Sequence, residues 1–267
     1  MSIRTYLRLS TAAVIVALTG CTSVADMAGY DTASLNNSAA KSYSEVVQQA
    51  SSQRAIDTTS ATARRIQTVF TRLKPHADAA NKTGTVFDWK MTVIKSDELN
   101  AWAMPGGKMA MYTGMVNQLK LSDAEIAAVV GHEMTHALLE HSKKEVGQKI
   151  LTGLAMDFGG KLVSKSTNMS SDTLKTSADL LSEYGIGKPF SRSQETESDL
   201  GGLRLMAQAG YNPEAAITVW EKMNSVSNNN NMLNAITSTH PTNNARIENI
   251  RKMLPEVMPI YEQNKRK

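Results

Sequence analysis

With 267 residues, 41% hydrophobic and 20% charged, the chain has the make-up of an ordinary globular protein, long enough to bury a core as one sizeable domain or two small ones. The net charge of +4 is modest, and the lysines and arginines are scattered apart from Lys265-Arg266-Lys267. No basic stripe is present to grip nucleic acid, which excludes that class of partner.

At the N-terminus, Arg4 and Arg8 precede an apolar run from Leu9 to Leu18, and Leu18-Thr19-Gly20-Cys21 follows. Charge, a short apolar core and small residues make an export signal; about ten apolar residues are too few to span a bilayer. LTGC resembles a bacterial lipobox, in which the signal is cut ahead of the cysteine and lipid is attached to it. Cys21 is the only cysteine in the chain. The expected divisions are a lipoprotein signal peptide over 1–20, a lipidated Cys21 with a small polar tether over 21–38, and a single domain over 39–267. Lipid on Cys21 consumes the one thiol and anchors the protein to a membrane surface without a spanning helix. Thr22 follows the cysteine where an aspartate would favour the inner membrane, so the resemblance implies the periplasmic face of the outer membrane.

Residues 39–80 read as helical, with a break near Asp57-Thr58; Ile66, Val69, Phe70 and Leu73 recur at three and four residues and form one buried face. His76, after Pro75, reads as a surface residue. Asn81 to Gly84 is a turn signal. Phe87, Trp89, Met91 and Val93 then alternate as a strand, Asn100 to Met104 is a second extended piece, Pro105-Gly106-Gly107 a tight turn, and Lys108 to Tyr112 a returning strand. Ser122 with Glu125 three residues on is a capping box that opens a strong helix. The stretch 147–182 reads as two helices joined near Thr167 to Ser171. A helix over 191–209, another from Asn212-Pro213, an asparagine loop over 228–231 and a last helix after Pro241 complete the pattern.

The strong helix carries His132-Glu133-Met134-Thr135-His136. Residues four apart on a helix lie about 40° out of line and about 6 Å apart along the axis, so both imidazoles can face one ion. Glu133 lies about 100° around from His132, placed to reach a water on that ion rather than to be a ligand. A zinc ion lowers the pKa of its water to about 7, and a neighbouring carboxylate can take the proton. A catalytic zinc needs a third protein ligand and one open position. Glu140 is about 12 Å along the axis from His132 and is rejected. His141 points roughly opposite to His132 and reads as a residue behind the ligands or on the surface. Glu195 and Asp199 share a face of the later helix while Glu197 turns away. One of the two carboxylates can ligate the metal while the other holds a ligand histidine by its second nitrogen.

HExxH followed by ExxxD resembles the zinc metallopeptidase family of HtpX and the CAAX prenyl proteases, nearer to its LoiP-like bacterial envelope lipoprotein peptidases, over about residues 60–254. The resemblance implies an α+β, mainly helical zincin fold of gluzincin type, with a small sheet beside the HExxH helix and one Zn2+ per chain. It assigns His132, His136 and Glu195 to the metal, Asp199 to the shell behind them, and Glu133 to catalysis. It likens Asn100-Ala101 to an edge strand that binds substrate by backbone pairing. It assigns His240 to the developing oxyanion and Arg246 to substrate or to the site carboxylates. In some relatives the counterpart of His240 caps the zinc. Ser198 departs from the usual alanine before the aspartate. The sequence shows no segment after the signal long and apolar enough for the four-helix membrane core of HtpX, which argues against intramembrane substrates.

The implied activity is a zinc-dependent endopeptidase of the bacterial envelope acting on misfolded or misassembled proteins. The rival reading is a non-proteolytic, chaperone-like assembly factor using the same groove, for which Glu133 would be dispensable. A structural zinc site would want four closed ligands, and only His240 could supply the fourth.

Overall fold

The helix carrying HExxH starts where side chains satisfy the orphan amides of its first turn. Ser122 Oγ accepts from the Glu125 amide at 3.3 Å and Glu125 Oε2 accepts from the Ser122 amide at 2.7 Å. Lys222 Nζ, 2.7 Å from Glu125 Oε1, and the Thr218 hydroxyl at 2.9 Å tie that cap to a later helix. The computed structural model describes residues 20–161, 189–227, 240 and 244–265. The signal residues before Gly20, the junction near Thr167 to Ser171, the asparagine loop over 228–231 and Pro241 lie outside the described residues.

In chain order the described elements are α1 (Gly20–Met27), α2 (Thr32–Ser52), α3 (Ala61–Ala80), β1 (Lys90–Ile94), β2 (Ala101–Met104), a 3-10 turn (Pro105–Gly107), β3 (Lys108–Tyr112), α4 (Thr113–Gln118), α5 (Asp123–Leu138), α6 (His141–Lys161), α7 (Arg192–Gln208), α8 (Ala215–Ser227) and α9 (Asn244–Asn264). The α+β, mainly helical expectation holds. The sheet order is β1-β3-β2, with β1 parallel and β2 antiparallel to β3. Gly106 and Gly107, at φ 75° and 80°, make the reversal between β2 and β3 in a region that side chains avoid.

Two apolar layers enclose the sheet. On one face Phe87, Trp89, Met91 and Val93 join Ile66, Val69, Phe70 and Leu73 of α3 and Ile126, Val130 and Met134 of α5. On the other, Leu35, Ala39 and Tyr43 of α2 pack on Ile94, Trp102, Met104 and Ala110. Period-two alternation in the strands is the cause: each sends successive side chains to opposite layers.

The tether expected over 21–38 is not extended. Small polar composition suggests a linker, but α1 packs on α6, where Ala25 meets Val146 and Gly147 leaves room for the Cys21 backbone. Asp31 caps α2 by accepting from the Ser34 amide at 2.9 Å. Leu35, Ala39 and Tyr43, four apart, are the stripe that covers the sheet. Hydrophobic burial thus orders a segment whose composition alone argues for freedom.

Helices α5 and α7 cross where glycines face each other. A methyl group on Gly202 would stand 2.8 Å from the His132 backbone nitrogen, and one on Gly201 would stand 2.3 Å from Thr135 Cγ2. Neither backbone can yield cheaply, so Gly202→Ala is expected to push the helices apart at a cost of about 1–3 kcal/mol. Denaturant unfolding measures this, and an unchanged midpoint would mean that the crossing is slack.

Candidate metal and catalytic site

The glycine crossing lays the first turn of α7 against the middle of α5. Ser191 caps α7, with Gln194 Oε1 accepting from its amide at 2.7 Å, and Glu195 follows in the first helical turn, where the helix dipole favours a carboxylate. His132 Nε2 and His136 Nε2 are 3.0 Å apart. Glu195 Oε2 lies 3.5 Å from the first and Oε1 3.3 Å from the second. His240 Nδ1 is 3.0 Å from Glu195 Oε1 and 3.3 Å from His132 Nε2. One donor atom from each of these four residues falls within 4.8 Å of every other, and all four residues are buried. A tetrahedral ion with ligand bonds of about 2.0–2.1 Å needs donors about 3.3 Å apart, so the set fits one zinc.

The charges agree. Glu133, Glu195 and Asp199 are buried against one guanidinium, Arg246. Burial alone would lower the His132 imidazole, yet the hydrogen bonds it donates to the Asp199 and Glu195 carboxylates raise it to about 9. So strong a demand for positive charge between carboxylates is what a dication answers. Burial also holds His136 well below the ordinary imidazole range, leaving it neutral as a ligand must be. Burial pushes the Glu133 carboxyl up, against the attraction of His240 and His132.

Asp199 Oδ1 stands 3.0 Å from His132 Nδ1, behind the ligand nitrogen. It also pairs with Arg246, Nη2 to Oδ1 at 2.7 Å and Nε to Oδ2 at 2.8 Å, while Arg246 Nη1 reaches Glu195 Oε2 at 2.8 Å. Arg246 thus grips both carboxylates of ExxxD. Its guanidinium lies 3.5 Å over the Trp220 ring, which flattens it against them. His240 Nε2 is 3.2 Å from Glu133 Oε1.

Ala101 opens β2, one edge of the sheet among the described residues, and just before it the Asn100 carbonyl accepts from the Tyr112 amide at 3.0 Å. Further along β2, Ala103 and Met104 line a narrow crevice with His136, Ala137 and Leu35, so the strand runs up to a histidine of the buried cluster. Cys21 is half-buried at the start of α1, its thiol donating to Gln148 Oε1 at 3.1 Å, away from the cluster.

Of the two readings of His141, behind the ligands or on the surface, the structure shows the first, reached through a break in the helix rather than along it. α5 stops at Leu138, Glu140 takes the left-handed conformation at φ 52°, and His141 starts α6 folded back on His136. It is fully buried, its Nδ1 2.9 Å from His136 Nδ1 and its Nε2 3.1 Å from Glu197 Oε2. Burial drives its pKa down to about 4 despite the bond with Glu197. Glu197, set aside on the helical wheel, is therefore engaged. Glu140 is no ligand: Oε1 accepts from the Thr32 hydroxyl at 2.6 Å. Phe190 stacks on His136 at 4.1 Å between centroids. Neither Phe190 nor Trp220 carries a sequence signal, since each touches the site only through folding.

Residues 60–254 match the family described as Peptidase family M48. The chain belongs to that family. As an M48 member it carries a zinc metallopeptidase domain, in agreement with the buried group of His132, His136, Glu195 and His240 that could hold one ion. Named relatives include the mitochondrial metalloendopeptidase OMA1 of Schizosaccharomyces pombe, 36% identical over 175 residues, covering 63% of this chain and 47% of that protein. OMA1 of Arabidopsis thaliana is 32% identical over 192 residues, covering 71% of this chain and 36% of the relative. The metalloprotease LoiP of Escherichia coli K12 is 29% identical over 175 residues, covering 64% of each chain. The chain thus spans half or less of these OMA1 proteins, and the M48 match coincides with the stretch that holds both motifs.

Proposed function

We propose that this protein is a zinc-dependent endopeptidase of the bacterial envelope that cleaves misfolded or misassembled envelope proteins. The observation that carries the reading is a buried carboxylate, Glu133, set beside the ligand group of His132, His136 and Glu195, with β2 leading into it. His132, His136 and Glu195 would hold a zinc ion, which when bound would supply Lewis acidity toward a carbonyl and would lower the pKa of a water to about 7. β2 pairs with an extended substrate through Asn100 and Ala101. Glu133 takes the proton of the attacking water and returns it to the leaving amine. Arg246 holds Glu195 and Asp199 in register, and Asp199 holds His132 by Nδ1.

His240 has a second duty in this reading. Its Nδ1 stands among the ligand donors, in the position an open catalytic site needs for substrate. His240→Ala is expected to raise the rate of cleavage several-fold by uncovering the metal; a simple loss of rate would assign the ring to oxyanion stabilisation alone.

The envelope location rests on the LTGC sequence at Cys21 and on the LoiP resemblance. No described helix is long and apolar enough to cross a membrane, so lipid on Cys21 would be the attachment. Because α1 packs on α6, such an anchor holds the domain at the membrane surface rather than on a long tether. Release of Cys21→Ser from the membrane fraction tests this part.

The activity is tested by incubating zinc-loaded protein with a reduced, unfolded protein. Fragments that disappear with a chelator and return with zinc are expected. Absence of fragments from both the wild type and His240→Ala would turn the assignment to a chaperone-like factor.

A further inference from the structure

We infer that His141 and Glu197 are positioning residues for the metal ligand His136, acting as a hydrogen-bonded file that selects the tautomer of that ligand. The inference rests on the metallopeptidase reading of the same site. A ligating imidazole is held by its second nitrogen, commonly by a carboxylate or a carbonyl. His132 follows that rule through Asp199, 3.0 Å from its Nδ1. Beside the corresponding nitrogen of His136 stands another imidazole, His141 Nδ1, at 2.9 Å.

Two facing ring nitrogens share one proton, and which ring carries it follows from the ligand atom. His136 Nε2 faces His132 Nε2 and Glu195, so its lone pair must be free for a metal. The proton of the neutral ring then sits on Nδ1 and donates to His141 Nδ1. His141 must therefore carry its own proton on Nε2, which points at Glu197 Oε2, 3.1 Å away. In the reverse arrangement His141 Nδ1–H donates to His136, the proton of His136 moves to Nε2, and the ligand position is blocked.

Glu197 suits this end of the file. It is half-exposed, and Lys144 Nζ at 3.3 Å keeps it company. The Glu197 carboxyl oxygen 3.1 Å from Nε2 is an acceptor for the proton there, which fixes His141 as the acceptor at Nδ1. The Ser198 hydroxyl, 3.3 Å from the same Nδ1, is the weaker competitor for that lone pair. The left-handed turn at Glu140 is what brings His141 into this file.

Two measurements on the full chain test the inference. Histidine 15N spectra of the zinc-loaded protein are expected to show protons on His136 Nδ1 and His141 Nε2; a proton on His141 Nδ1 would overturn it. Zinc affinity, read by competition with a chelator, is expected to fall about 10–100-fold in His141→Phe, with a smaller fall in Glu197→Ala. His141→Asn, which restores an acceptor near Nδ1, is expected to recover part of the loss. Affinity within threefold of wild type in both His141→Phe and Glu197→Ala would leave the file without a role. Because Glu197 is half-exposed, its replacement keeps the test valid if His141→Phe does not fold. Wild-type protein that binds no zinc would remove the metallopeptidase reading and this inference together. Wild type that binds zinc with the other tautomer would remove this inference alone.

Discussion

Glu133→Gln is expected to lower the rate of peptide-bond cleavage about 10²–10⁴-fold while zinc stays bound at one ion per chain. The amide keeps the size and polarity of the carboxylate but cannot accept the water's proton. Glu133 lies outside the ligand group formed by His132, His136, Glu195 and His240, so the metal content should not change. Its neighbour His240, 3.2 Å away at Nε2, can donate to the amide oxygen as it does to the carboxylate. The measurement is single-turnover cleavage of an unfolded protein, with zinc quantified on the same sample. Equal rates in the two forms would place the proton acceptor elsewhere, and loss of zinc with the rate would make Glu133 a ligand.

The second large effect separates the two carboxylates of α7. Glu195→Gln is expected to weaken zinc binding by more than the roughly 10–100-fold that loss of a residue behind a ligand costs, and Asp199→Asn to fall inside that range. The reason is geometric. Glu195 oxygens lie 3.3 Å and 3.5 Å from the two Nε2 donors, whereas Asp199 approaches His132 on its far nitrogen, Nδ1, at 3.0 Å. Both substitutions keep the side-chain shape and leave Arg246 one charged partner, which limits the damage to folding. Zinc affinity by chelator competition, with unfolding of the same variants as a control, measures both. The reverse order would make Asp199 the ligand and Glu195 its support.

Local signals account for much of the framework. Ser122 with Glu125 and Ser191 ahead of α7 were legible as helix starts because caps act within four residues. The alternation from Phe87 to Val93 marks the strand region because the two faces of a sheet meet different surroundings. HExxH on a well-capped helix placed His132, His136 and Glu133 through helical geometry alone. ExxxD offered Glu195 and Asp199 as a pair, and left their division of labour to be assigned by resemblance.

What the chain could not announce lies in contacts between distant segments. The docking of α1 and α2 depends on surfaces formed by α6 and the sheet, so Leu35, the first residue of the stripe with Ala39 and Tyr43, was placed in a tether. The sequence left His141 between a place behind the ligands and one on the surface; the choice was made by a left-handed turn at a non-glycine residue, Glu140, which composition does not signal. Trp220 under Arg246 and Phe190 on His136 come from separate elements with no spacing rule to link them. By itself the sequence determined which residues could bind a metal and move a proton, since those properties belong to residue types and helical spacing. Only the tertiary structure decided which carboxylate faces which nitrogen and where His141 and His240 stand. Those relations depend on how closely α5 and α7 approach, and the glycines at their crossing permit that approach.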